Sequence, residues 1–102
     1  MEEVKITGIS DGKLHISLSG DIDLSNAETF YQAVTEGYKS TPADLVFDCE
    51  KLDFIDSTTL GTFVKILKTV KSDGHTMRLV NLQLKIKKLF LICALDSLME
   101  IA

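Results

Sequence analysis

The sequence predicts an open α/β fold, one mixed sheet of four to five strands with three to four helices, in the order β-β-α-β-α-β-α-β. Three observations carry this. Two alternating runs flank Asp11-Gly12, helical and strand periodicities then alternate along the chain, and 45% of the 102 residues are apolar. That apolar share is enough to bury a core without metal or disulfide staples. Residues 1–102 are expected to form a single domain.

The first pair of strands is "VKITGIS" and "KLHISLSG", with Leu14, Ile16 and Leu18 on one face. An Asp-Gly pair between two such runs is a strong hairpin signal. In "DIDLSNAETFYQAVTEGYK" the residues Ala27, Phe30, Tyr31, Val34 and Tyr38 recur at helical spacing. Ser25 reads as the N-cap, and Glu28 closes a capping box. After Pro42, the single proline, "ADLVFDC" is a nearly continuous apolar run and reads as a short, buried central strand. Phe54 and Ile55 then end a short connection from that strand.

From Thr58 to Val70 the apolar residues Leu60, Phe63, Val64, Leu67 and Val70 mark a long amphipathic helix, with Lys65, Lys68 and Lys71 on its solvated side. "SDG" ends it and "TMRLVNL" is the next strand. "LKIKKLFLICAL" is the third helix, with Ile86, Leu89, Phe90 and Cys93 facing inward, and "SLMEIA" reads as either a closing edge strand or a frayed tail. Leu91, Ile92 and Leu95 exceed what one inward face needs, which leaves both the use of these residues and the oligomeric state open.

Composition excludes several classes of function. A net charge of −4 argues against direct nucleic-acid binding through phosphates. "MEEVKITG" lacks the basic start and apolar block of a signal peptide, and no run of about 18 apolar residues exists, so no membrane insertion and a cytoplasmic location are expected. Cys49 and Cys93 sit in apolar company and read as buried hydrophobes. His15 and His75 are isolated and read as solvent-facing. Without close Cys or His pairs, neither a metal nor a cofactor is expected.

Parallel central strands bring "GDID" (Gly20 to Asp23), "KLDFIDSTT" (Lys51 to Thr59) and "NLQL" (Asn81 to Leu84) to one edge of the sheet, where open α/β sheets place their sites. Asp21, Asp23, Asp53 and Asp56 are expected to gather there around Ser57. Asp56 or Ser57 is the N-cap of the long helix. A catalytic serine needs a base, and neither histidine falls on this edge. The G-x-S-x-G turn of hydrolases is also absent, so an enzyme is not expected. A phosphoacceptor fits better: a helix N-terminus accommodates the phosphate, while a partner docked on the edge meets about two new negative charges.

"DFIDSTTLGTFVKILKTVKSDG" resembles the signature of the STAS family, which includes the anti-sigma factor antagonists of bacteria. "GDIDLSNAETF" is similar to the family's acidic segment before the first helix, and "LKIKKLFLICALDSLMEI" to its last helix and strand. The resemblance implies a protein-binding module that holds a kinase-type anti-sigma factor while unphosphorylated. It further implies that this serine kinase phosphorylates Ser57 and that a serine phosphatase resets it. The implied contact residues are Asp21, Asp23, Asp56, Ser57, Thr58, Thr59 and Leu60. The chain departs from the pattern at Thr59, where the family commonly has glycine, and in lacking a proline before the last helix. Other STAS domains serve as scaffold or transport-complex subunits without a phosphoswitch, which is the alternative the resemblance leaves.

Overall fold

The computed structural model describes residues 1–102. Strands β1 (Val4–Ser10) and β2 (Lys13–Ile22) form the expected hairpin. Asp11 and Gly12 at its tip both take positive φ, 55° and 74°, as a two-residue turn of this hand requires. Helix α1 (Ala27–Ser40), strand β3 (Asp44–Ile55), helix α2 (Ser57–Ser72), strand β4 (Met77–Val80), helix α3 (Leu84–Ile92) and strand β5 (Glu100–Ile101) follow, with a 3₁₀ turn at Leu95–Ser97 before the last strand. The sheet order is β1-β2-β3-β4-β5. Only β1 is antiparallel to its neighbour; β2 through β5 are parallel.

One face of the sheet carries the core. Leu14, Ile16 and Leu18 of β2 lie on the same side as Leu45 and Phe47 of β3 and Met77 and Leu79 of β4, all buried. The apolar stripes of the helices pack there. Phe63 of α2 is the hub, with its ring edge-on to Phe30, Phe47 and Phe90 at centroid distances of 5.2, 5.5 and 5.4 Å. The alternate residues His15, Ser17 and Ser19 stay half-buried on the opposite face. Period-2 burial along β2 and 3.6-residue burial along α2 thus meet in one layer.

Strand β3 is longer than its apolar run predicts, because it does not end at Cys49 but continues to Ile55. The reason is two register shifts against β2. Ser17 pairs Asp48 and Ser19 pairs Lys51, then Gly20 pairs Leu52 and Asp21 pairs Phe54, so β3 carries one extra residue at each step. Such bulges break alternation. The β3 residues that enter the core therefore run 45, 47, 49, 52 and 55, a spacing that reads as a loop in sequence. The second bulge also turns Phe54 outward, leaving it 49% exposed.

Other expectations are corrected as well. Helix α1 is capped at Asn26 rather than Ser25, and no capping box forms with Glu28. Leu89 is 38% exposed and Cys93 is exposed, because α3 ends at Ile92 and buries only Ile86 and Phe90. Of the three residues whose use the sequence leaves open, Leu95 is buried, whereas Leu91 and Ile92 are exposed. His75 is half-buried, with Nδ1 3.3 Å from Asp44 Oδ1 and its ring edge-on to Tyr38. No helix is long and apolar enough to cross a membrane.

Candidate functional site

The site is built where β2 and β3 run out beyond β4. Their last pair, Ile22 and Ile55, is buried and anchors the chain on both sides of a polar edge. After Ile22 the backbone is stitched by its own side chains. Asn26 Oδ1 accepts the Asp23 amide at 2.8 Å, and Asn26 Nδ2 donates to the Asp21 carbonyl at 3.0 Å. Asp23 Oδ1 accepts the Ser25 amide at 2.9 Å and the Ser25 hydroxyl. Short polar side chains that bond nearby backbone favour this kind of turn over an early helix start.

After Ile55, Asp56 takes the extended conformation of an N-cap. Its Oδ1 accepts the Thr59 amide at 3.0 Å, and its Oδ2 accepts the Leu24 amide at 2.8 Å. One carboxylate therefore both caps α2 and holds the β2–α1 loop against it. The Thr59 amide is the main reason the Asp56 carboxyl is held below its ordinary range, with the Leu24 amide adding to the effect. Thr59 completes the joint, its hydroxyl donating to the Ile22 carbonyl at 2.6 Å.

The residues expected to share a contact surface therefore divide. Ser57 and Thr58 are exposed on the first turn of α2, Asp21 is exposed at the end of β2, and Asp23 and Asp56 are half-exposed between them. Thr59 and Leu60 do not belong to that surface. Thr59 is completely buried and Leu60 is 9% exposed, because a helix that starts at Ser57 turns its third and fourth residues onto the sheet. Thr59 is thus a structural strut. Asp53 also faces solvent at this edge, where its carboxylate accepts the Gln83 side-chain amide at 3.1 Å.

Ser57 takes part in none of the side-chain hydrogen bonds that organise its neighbours. As the first helical residue, it stands where backbone amides lack intrahelical acceptors. Two depressions flank it. A groove of about 360 Å³ between α1 and α2 is lined by Leu24, Ala27, Glu28, Thr58, Gly61, Thr62 and Lys65. A cleft of about 190 Å³ between the end of β3 and α3 is lined by Asp53, Phe54, Ile55, Lys85, Ile86 and Leu89. Ser57 lies in the chain between Ile55, which lines one, and Thr58, which lines the other.

Neither histidine reaches this edge. His75 follows α2 at its other end, and 16 helical residues separate the ends by about 24 Å. His15 lies midway along β2 on the side away from the core. No three His, Cys, Asp or Glu side chains gather closely enough to hold a metal ion. The ion pairs His75–Asp44 and Arg78–Glu100 both lie away from this edge. Sequence reasoning missed Asn26, Leu24 and Phe54. Asn26 carries a capping preference that could have found it, whereas Leu24 and Phe54 enter only through contacts made after folding.

Residues 4–102 match the STAS domain family. An anti-sigma-B factor antagonist of Bacillus subtilis is 28% identical over 93 residues, spanning 91% of this chain and 84% of the relative. An anti-sigma factor antagonist from Mycobacterium paratuberculosis has the same fold, with a TM-score of 0.84 at 20% identity over 96% of this chain and 82% of that one. The Bacillus cell fate determinant SpoIIAA matches in its unphosphorylated and phosphorylated forms, each at a TM-score of 0.75. Those two are 15% and 18% identical, and both matches cover 97% of this chain, with 86% and 90% of the respective SpoIIAA chains. The chain belongs to the STAS domain family.

Proposed function

We propose that this STAS domain is an anti-sigma factor antagonist whose Ser57 edge docks a kinase-type anti-sigma factor and releases it on phosphorylation. The observation that carries the reading is the exposed, unbonded Ser57 hydroxyl at the first position of α2, beside a cap that already ties the adjoining loops down. The kinase transfers the γ-phosphoryl group of ATP to Ser57 Oγ, the hydroxyl proton passes to a base of the kinase, and ADP leaves. A serine phosphatase adds water to the phosphoserine, restoring Ser57 and releasing inorganic phosphate.

The energetics of the two states differ in the direction a switch needs. Within the domain, the helix N-terminus stabilises an added anion by about 0.3–1 kcal/mol, and no packed side chain has to move to admit it. In the docked complex the same group places about 1.5–2 negative charges in a desolvated contact. Asp21, Asp23 and Asp56 already make that edge acidic, so the phosphate adds like charge to it, and its cost to the docked complex is electrostatic and steric together. Likeness to SpoIIAA in both phosphorylation states supports a fold that tolerates the modification.

The test is phosphate mapping after incubation with the cognate anti-sigma factor kinase and ATP, together with binding of Ser57→Ala and Ser57→Asp. Phosphate is expected on Ser57, none on Ser57→Ala, and loss of kinase affinity in Ser57→Asp. A protein left unphosphorylated at Ser57, with Ser57→Asp binding its partner at wild-type strength, would instead mark a scaffold subunit that binds constitutively.

A further inference from the structure

We propose that residues 94–102 are a conformational switch. They unbend at Ala94 to continue α3, and the straightened helix pairs antiparallel with the same helix of a second copy of the chain. The switch is independent of the Ser57 edge.

The bend runs against its local sequence. "LKIKKLFLICAL" predicts a helix through Leu95, yet α3 stops at Ile92. A 3₁₀ turn follows at Leu95–Ser97, and Leu98 is right-handed again. Between these pieces Ala94 takes the left-handed conformation, φ 57° and ψ 27°, the one positive φ among residues 84–98. Alanine is the best helix former, and glycine or asparagine normally supplies a left-handed residue. Conflicts of this kind between local preference and fold concentrate at switches and functional sites. Returning Ala94 to the right-handed region joins α3 and the 3₁₀ turn into one helix over residues 84–99.

The docked segment is lightly held. Strand β5 has two residues and pairs only with β4. Its ion pair, Arg78–Glu100 at 3.4 Å, joins side chains that are 44% and 66% exposed, and such pairs add little. A depression of about 340 Å³ opens between this segment and the last turn of α2, reaching Leu67 and Met77. The straight helix, by contrast, gives its apolar surplus a use. Leu84, Leu91 and Leu98 fall at seven-residue spacing. Ile92, Leu95 and Met99 lie beside them, all within about a third of the circumference. That stripe points away from Ile86 and Phe90, which hold α3 to the sheet. Docked, the chain buries Leu95 and Met99 and leaves Leu84, Leu91, Ile92 and Leu98 exposed. Paired, it covers all six.

Charge selects the occupant. Lys85, Lys87 and Lys88 lie in the first half of the straight helix, where residues 84–95 include no acid. Asp96 and Glu100 lie at its far end, and no lysine follows Lys88. An antiparallel pair crossing at Ile92 sets Lys88 of each copy against Asp96 of the other, with the apolar stripes between them. A parallel pair would stack lysine on lysine. The helix is thus complementary to itself in one orientation, as a two-fold interface requires.

The experiment is sedimentation of the full chain over a concentration series, with amide hydrogen exchange followed by NMR. The wild type is expected to dimerise as concentration rises. Amides of residues 93–97 gain protection in the dimer, while the Ala102 amide, bonded to the Leu79 carbonyl at 3.0 Å when docked, loses it. Ala94→Gly suits the bend and weakens the helix, so it is expected to raise the dimer dissociation constant at least tenfold. Leu91→Glu changes a residue exposed in the docked fold and abolishes the dimer. Lys88→Glu weakens it, and adding Asp96→Lys restores it. A chain that stays monomeric up to about 1 mM overturns the proposal. So does a dimer that Ala94→Gly leaves at wild-type strength, or one in which exchange at residues 93–102 matches the monomer, since either would pair through the bent form.

Discussion

At the end of the sheet where β2 and β3 run out, Asp23 and Asp56 accept backbone amides and leave Ser57 exposed. At the opposite end, Asp44 and Asp73 are engaged as well, but by groups that close over one another. Asp44 accepts the Thr76 amide at 2.9 Å and faces His75, and Asp73 accepts the Tyr38 hydroxyl at 2.8 Å. Tyr38 is buried in the process. Both ends carry aspartates that accept protein donors. What separates them is that one end is saturated by its own side chains, while the other saturates its backbone and keeps a serine hydroxyl outside. An exposed hydroxyl bonded to no protein group can be approached by an external partner without breaking a bond of the fold.

The sharpest test of this contrast is Thr59→Val. It preserves shape but leaves the buried Ile22 carbonyl without its donor, and about 1–3 kcal/mol of stability is expected to go, measured by chemical denaturation. A loss near zero would mean that the strut does not hold the open end together.

Asp56→Ala comes next. It removes the acceptor for both the Thr59 and Leu24 amides, so the melting temperature should fall by several degrees and hydrogen exchange at Leu24 should accelerate. If exchange at Leu24 is unchanged, the carboxylate caps the helix without tethering the loop.

Tyr38→Phe probes the closed end, with an expected loss of about 0.5–1.5 kcal/mol at neutral pH. Its pH dependence identifies it. Burial first, and then the bond to Asp73, pushes the Tyr38 hydroxyl from 10.0 up to about 12. A raised folded value supports the fold fully below the unfolded one, so this contribution is intact below pH 10 and is lost as pH climbs toward about 12. Buried Cys49, pushed up from 9.0 to about 12, adds a loss of the same sign that starts nearer pH 9. The difference between wild type and Tyr38→Phe isolates the tyrosine, and that difference should shrink between pH 10 and 12.

Acid does not separate the two ends. Asp56 and Asp44 are both held below 3.8, by the Thr59 and Thr76 amides respectively. Each therefore supports the fold above about pH 4, and that support is lost as pH falls through the lowered folded value.

The smallest effect belongs to the residue that matters most for the proposed switch. Ser57→Ala should change stability by less than about 0.5 kcal/mol, since its hydroxyl bonds nothing. A larger loss in a thermal melt would show that Ser57 is structural and that the open end is less open than its geometry indicates.

Much of this was legible in the chain. The hairpin around Asp11-Gly12, the alternation of strands and helices, the core faces of β2 and α2, and Asp56-Ser57 at a helix start are all written in residues one to four positions apart. The fate of Thr59 was not. As one of three adjacent hydroxyl residues it is indistinguishable from Thr58, until the helix docks and turns one outward and the other onto Ile22. The exposures of Phe54 and Cys93 were hidden for the same reason, one because a bulge sets the phase of its strand and the other because its helix ends at Ile92, short of the predicted Leu95.

Element order, the helix cap and the acidic serine-bearing edge were thus determined by the sequence itself, because dihedral preference, capping and periodic burial act within a turn or a pleat. Only the tertiary structure decided which hydroxyl is buried, how far β3 extends, and that an apolar cleft opens beside Ser57. Those outcomes depend on contacts between segments some 30 to 37 residues apart, such as Leu24 with Asp56, Asp53 with Gln83 and Ile22 with Thr59. No local pattern encodes a bond whose partner arrives only when the sheet is assembled.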